Sequence, residues 1–204
     1  MSVSWLRGVF GRFDHFGLIA RHYDRLIAVS PDARDVLAGL LAVTPDQTLL
    51  DVGGGTGRLA SGLAAGGAQV IVCDASPGMA RQARAKGLAA VVCDVGRLPF
   101  PAGRIERELV VDAFHHFVTP SPQAAQPRAA AELLRALAPS GRLVVEEPDI
   151  RRGPVKLIAA GERLLLMGSR FLAPNVLSDL FLAAGARRAM VQEVGNTYRL
   201  IVEL

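Results

Sequence analysis

From Thr48 to Glu146 short apolar runs alternate with amphipathic stretches, and glycine or proline separates most of them. The runs Thr48–Val52, Gln69–Cys73, Leu88–Cys93, Glu108–Ala113 and Arg142–Glu146 carry apolar residues at successive rather than alternate positions. That is the signature of strands buried on both faces. Arg58–Ala65, Pro77–Lys86 and Pro127–Leu137 read as the intervening helices, closed by Gly66-Gly67, Gly87 and Pro139-Ser140-Gly141. Such repetition specifies a parallel sheet covered by helices on both sides, with right-handed crossovers. The final stretch departs from it. Leu177–Ala184 reads as a helix, Ala189–Val194 and Tyr198–Val202 as strands, and Gly195-Asn196 as the tight turn of a hairpin, which forces one strand to run antiparallel.

Upstream, residues 4–29 read as one or two short amphipathic helices around Gly8, Gly11 and Gly17. Ser30-Pro31-Asp32 starts a further helix to about Leu41, with Ser30 as cap and Pro31 at the first helical position. The expectation is one α/β domain: a helical cap over 1–45 and a core over 46–204, with a lid segment at 151–176. Within the lid, Val155–Ala173 reads as one amphipathic helix, either covering an apolar substrate or serving as a core or dimer helix.

Composition narrows the functional classes. Half of the 204 residues are hydrophobic, enough for a single sizeable core. The net charge of +4 comes mostly from scattered arginines, with no basic stripe interleaved with aromatics, which argues against nucleic acid as substrate. Cys73 and Cys93 sit in apolar runs and read as small buried hydrophobes rather than a disulfide framework. No metal-ligand spacing is present, and no metal is expected. Arg7, Arg12 and Asp14 interrupt any signal-like apolar stretch, so a cytoplasmic protein is expected. Trp5–Phe10 offers at most a weak membrane-surface contact. Monomer and homodimer both remain open.

The chemistry centres on Asp51-Val52-Gly53-Gly54-Gly55-Thr56-Gly57. Glycines at a strand end let the backbone turn sharply and approach a ligand, at the crevice where open α/β sheets bind nucleotides. A phosphate loop fails, because Arg58-Leu59 follows Gly57 where Lys-Ser/Thr belongs. A dinucleotide fingerprint fits loosely as Gly55-x-Gly57-x-x-Ala60 with Asp74 beyond it. An S-adenosylmethionine site also accounts for Asp51, whose carboxylate can reach a ligand ammonium. Asp74 ends the second strand, where an acid can hold ribose hydroxyls or cap the helix starting at Ser76-Pro77. Asp94 ends the third, where it can take the adenine amine while Val95 offers a backbone N–H.

Leu50–Gly57, Asp74-Ala75-Ser76-Pro77-Gly78-Met79 and Cys93-Asp94-Val95-Gly96-Arg97-Leu98-Pro99-Phe100 resemble successive motifs of the class I S-adenosylmethionine-dependent methyltransferases. Leu98-Pro99-Phe100, Asp112-Ala113-Phe114-His115-His116-Phe117, Leu134–Leu143 and Arg21-His22-Tyr23-Asp24-Arg25-Leu26 resemble the branch of ubiquinone/menaquinone biosynthesis methyltransferases. The resemblance implies a doubly wound, Rossmann-like, seven-stranded, mostly parallel sheet with an antiparallel terminal hairpin strand. It implies that Thr56 and Gly53, Gly55 and Gly57 line the methionine portion. Asp74 and Ala75 would take the ribose, Met79, Asp94 and Val95 the adenine, and Asp112 would face the active site. The acceptor would be a small molecule, with C-methylation of a quinol or related phenolic or lipidic compound as the finer reading. His115, His116 and Tyr23 are the candidate catalytic residues, since ionising a quinol hydroxyl calls for a base. Each also has an ordinary packing role open to it. The competing readings are an NAD-type oxidoreductase and a non-catalytic relative that binds the cofactor. The compact stretch after the fifth strand and the two prolines in Val118–Gln126 depart from the quinone branch and leave the acceptor open.

Overall fold

The computed structural model describes residues 14–26, 31–164 and 168–204. The Trp5–Phe10 stretch, Gly8, Gly11 and the Ser30 cap lie outside them. Seven strands form one sheet: β1 (Thr48–Val52), β2 (Gln69–Asp74), β3 (Ala89–Val92), β4 (Ile105–Val111), β5 (Leu137–Pro148), β6 (Arg188–Val194) and β7 (Thr197–Glu203), in the order β3-β2-β1-β4-β5-β7-β6. β1 to β5 pair in parallel, and β7 enters antiparallel between β5 and β6. The helices are α1 (His15–Leu26), α2 (Pro31–Leu41), α3 (Arg58–Ala65), α4 (Pro77–Ala85), α5 (Pro122–Ala136), α6 (Gly153–Leu164) and α7 (Pro174–Ala183), with a 3-10 turn at Phe114–His116.

Neighbouring residues of one strand feed opposite sides of the sheet. Leu50, Val110, Val145 and Leu200 join one apolar cluster with Leu133 of α5 and Leu177 and Phe181 of α7. Leu49, Leu109, Val144 and Ile201 join the other with Leu37 and Leu41 of α2 and Leu59 and Leu63 of α3. The pleat directs successive side chains to opposite faces, so strands apolar at every position require helices on both.

Three elements differ from the sequence reading. α5 begins at Pro122, five residues ahead of the expected Pro127: Ser121 caps it, Pro122 takes the first helical turn, and Pro127 lies inside it. Proline at a helix start forfeits no bond, which is why the extra turn forms. β5 begins at Leu137 and carries a register shift opposite Ile105 and Arg107, so Pro139-Ser140-Gly141 is an irregularity within the strand rather than a stop. The lid reading of one helix over Val155–Ala173 is corrected as well: α6 ends by Leu164, and residues 168–173 run without helix to the start of α7.

Cys73 and Cys93 are joined as a disulfide, with Cα atoms 5.9 Å apart. Parallel pairing of β2 with β3 sets Cys73 opposite Val91, two residues before Cys93, a proximity that neither strand shows when read alone. Among the described residues no helix is long and apolar enough to cross a membrane.

Candidate active site

The C-terminal ends of β1, β2 and β3 bring Asp51, Asp74 and Asp94 along one edge of the sheet. Gly53, Gly55 and Gly57 all sit at positive φ, between 57° and 71°, so the turn after β1 takes conformations that side chains resist. A Cβ on Gly53 would stand 2.5 Å from that of Ala113 and 3.8 Å from the Phe117 ring. The turn therefore presses directly on the segment after β4.

Asp51 is 2% exposed, and its Oδ2 has no hydrogen-bond partner among the described residues. Burial, with the nearby Asp74 charge adding to it against Arg58, pushes its pKa up to about 7. A buried carboxylate oxygen without a partner is costly, and a cationic ligand group relieves that cost. Asp74 holds the turn itself, accepting from Gly55 N–H at 2.9 Å and Ser76 N–H at 2.8 Å. Its pKa is raised by burial, which outweighs those bonds. Asp94 accepts from Gly96 N–H at 2.8 Å and is open to solvent, with Val95 half-buried beside it. Ala75 is exposed. Met79, in the first turn of α4, is buried at 2% exposure, and the open side of Gly55 faces its sulfur.

Helix α1 closes over this edge. Asp24 bonds the Thr56 hydroxyl and the Lys86 ammonium, and Asp14 accepts from the Ser76 hydroxyl at 2.8 Å. Tyr23 lies under the Arg58 guanidinium, 5.8 Å from its ring centre, with Phe16 edge-on beside it at 6.5 Å. Burial, followed by Asp112, raises the Tyr23 pKa. His22, on the same helix, is exposed.

Asp112 follows β4 at φ 52°, a left-handed conformation seldom taken outside glycine. Its residue opens onto the cleft. Desolvation by the cleft walls, opposed by His115 and reinforced by Glu147 and Glu162, pushes its pKa up to about 6. His115 and His116 come next in the 3-10 turn. The sequence reading missed what anchors them. Glu147, at the end of β5, accepts from the backbone N–H groups of Ala113 (2.9 Å), Phe114 (2.7 Å) and His115 (3.3 Å), and from His115 Nδ1 (2.7 Å). A second acid after Glu146 in an apolar strand was the available signal. Burial would lower the His115 pKa, but the Glu147 carboxylate wins and raises it. His116 has no such partner: burial first, then the His115 charge, lowers its pKa to about 3. That shift favours the neutral imidazole at His116.

The rest of the surroundings of the histidine turn come from α6 and residues 168–173. Phe171 stacks on His115 with ring centres 4.1 Å apart, Ser169 Oγ meets His116 Nδ1 at 3.1 Å, and Phe16 meets the His116 ring edge-on at 5.0 Å. Glu162 reaches in from α6.

Residues 50–145 match the family described as a methyltransferase domain. A demethylmenaquinone methyltransferase of Thermus thermophilus is 36% identical over 208 residues, covering 90% of this chain and 92% of that protein. One from Beutenbergia cavernae is 33% identical over 146 residues, 68% of this chain and 57% of that protein. The chain thus spans little more than half the length of the second relative. A Thermotoga maritima structure described as a possible histamine N-methyltransferase superposes with a TM-score of 0.75 at 21% identity, over 92% of this chain and 97% of that one. A methyltransferase structure from Archaeoglobus fulgidus gives 0.73 at 12% identity, over 89% and 98%. At those identities the two structures speak for the fold alone.

Proposed function

The chain belongs to the class I S-adenosylmethionine-dependent methyltransferases, and on that premise we propose that it C-methylates a quinol or related phenolic acceptor bearing an apolar tail. The observation that carries this reading is the aromatic wall just past Asp112: Phe16, Tyr23, His116 and Phe117 stand where the Gly-rich turn meets the 3-10 turn. Flat rings favour a flat acceptor. Exposed Leu18 and Ile19 on α1 and Leu157, Ile158 and Leu164 on α6 supply apolar surface on the two helices that also carry Tyr23 and Glu162. The two curated relatives described above are named for demethylmenaquinone methylation, which points the same way.

The residues present fit S-adenosylmethionine. The orphaned Oδ2 of buried Asp51 calls for a cation, and the cofactor's α-ammonium is one. Gly53, Gly55, Thr56 and Gly57 would hold the methionine portion. Asp74 and Ala75 would take the ribose, and Asp94 and Val95 the adenine, with Met79 below Gly55. Asp112 would sit between cofactor and acceptor. Bound there, the cofactor supplies a methyl group already activated by its sulfonium. The protein's own work is alignment and exclusion of water, for which α1, held down by Asp14 and Asp24, is the cover. Tyr23, His115 and His116 line the acceptor side.

The test is transfer of labelled methyl from S-adenosylmethionine to a panel of demethylated naphthoquinols, benzoquinols, amines and phosphoethanolamine. The expected result is label on a ring carbon of a quinol. Label on amines only, or binding of NAD without S-adenosylhomocysteine, overturns the reading. Cofactor binding with no transfer to any acceptor favours a non-catalytic relative.

A further inference from the structure

One nitrogen of His115, one of His116 and one carboxylate oxygen of Glu162 lie within 4.8 Å of one another. The two imidazoles are already oriented from behind. His115 Nδ1 is held by Glu147 at 2.7 Å and His116 Nδ1 by Ser169 Oγ at 3.1 Å, which leaves Nε2 of each ring for a ligand. Imidazoles backed in this way by a carboxylate or other polar partner are how proteins fix metal-binding histidines. Phe171 stacked on His115 fixes that ring's plane. Glu162 supplies a second, independent observation: its Oε2 is buried, with no hydrogen-bond partner among the described residues. An orphaned carboxylate oxygen beside two imidazoles offers a third ligand to a metal ion. The helix that delivers it is pinned at its start, where Arg151 bonds Asp149 (2.7 Å) and Glu193 (2.6 Å) and Arg152 bonds Glu193 (2.9 Å).

We propose that His115, His116 and Glu162 bind a divalent first-row transition ion whose open positions take the ionised hydroxyl oxygen of the methyl acceptor. Two nitrogens and one carboxylate suit zinc, iron(II), cobalt or manganese rather than calcium or magnesium, which prefer all-oxygen shells. The sequence shows no metal-ligand spacing, and the fold brings Glu162 from α6 beside the two adjacent histidines. The identity of the oxygen ligand rests on the quinol reading; the metal site does not. On the ion the acceptor's O–H proton leaves to solvent, as for other metal-bound oxygens. The phenolate electrons flow into the ring, and a ring carbon bonds the methyl as the S–CH3 bond breaks, its pair staying on sulfur. The ring C–H proton then departs to solvent.

The probe is cobalt(II), titrated into tag-free, chelator-treated full chain and followed by visible absorption. One equivalent per chain with a d–d band is expected. Glu162→Gln and His116→Gln should each lose the band, and Ser169→Ala should weaken binding about tenfold. Exposed His22→Gln should bind like wild type. Circular dichroism and S-adenosylhomocysteine affinity, expected unchanged, certify that the variants fold. No band in the wild type, or an undiminished band in Glu162→Gln, overturns the site. An undiminished methyl-transfer rate after chelation, with no cobalt band, overturns the metal and leaves the quinol reading standing. Cobalt bound with no transfer to any acceptor does the reverse.

Discussion

Asp51 and Glu108 are both buried acids with oxygens that find no partner among the described residues, and they differ in what lies around them. Glu108 is 0% exposed in the middle of β4, and burial pushes its pKa well above 4.5, with Arg135 only partly opposing. Its contribution to stability is full below its ordinary value near 4.5 and is lost as pH rises toward the folded-state value. Glu108→Met should therefore stabilise the chain at neutral pH by about 1–3 kcal/mol, with the gain shrinking toward pH 4; urea unfolding at two pH values measures it. Asp51 has the same sign in a lower window. Its stabilising share is present below 3.8 and drains away as pH climbs to about 7. Asp51→Asn should raise the melting temperature of the ligand-free chain at pH 8, yet weaken S-adenosylhomocysteine binding by about 1–3 kcal/mol through the lost charge-assisted bond. A binding isotherm matching wild type would remove Asp51 from the cofactor site. Asp51, Asp74 and Asp94 were legible because each ends an apolar run. Glu147 and Glu162 were not, because their partners are distant in sequence and only packing reveals them.

At the scale of elements, α1 is held over the Gly-rich turn by a few named contacts. Beyond its three side-chain bonds, it crosses α4 so closely that a Cβ on Gly78 would stand 2.6 Å from Gly17 Cα. No flexible side chain is there to yield, so the helix itself must move. Gly78→Ala should lift α1, speed proteolysis within residues 14–26, and raise the acceptor KM more than it lowers overall stability, a cost of about 1–3 kcal/mol. Unchanged cleavage kinetics would show that α1 rests elsewhere. The strand–helix alternation was readable because burial on both faces leaves long apolar runs. The start of α5 was hidden by prolines that usually end helices, and the Cys73–Cys93 bond by pairing between strands that no single run encodes.

For the molecule as a whole, strand order carries more than family membership. β5 pairs with β4 on one side and with β7 on the other, and it delivers Glu147 to the histidine turn. Tyr198 of β7 donates to the Leu172 carbonyl at 3.2 Å, bracing the segment that carries Ser169. The surroundings of the histidine turn are thus finished by a strand that comes late in the chain but lies inside the sheet. Until β7 is in place, the Arg142–Pro148 edge of β5 lacks its antiparallel partner. Such an edge is a template for pairing with another nascent chain. A chain in which β7 has not yet paired would therefore be prone to aggregate along that edge.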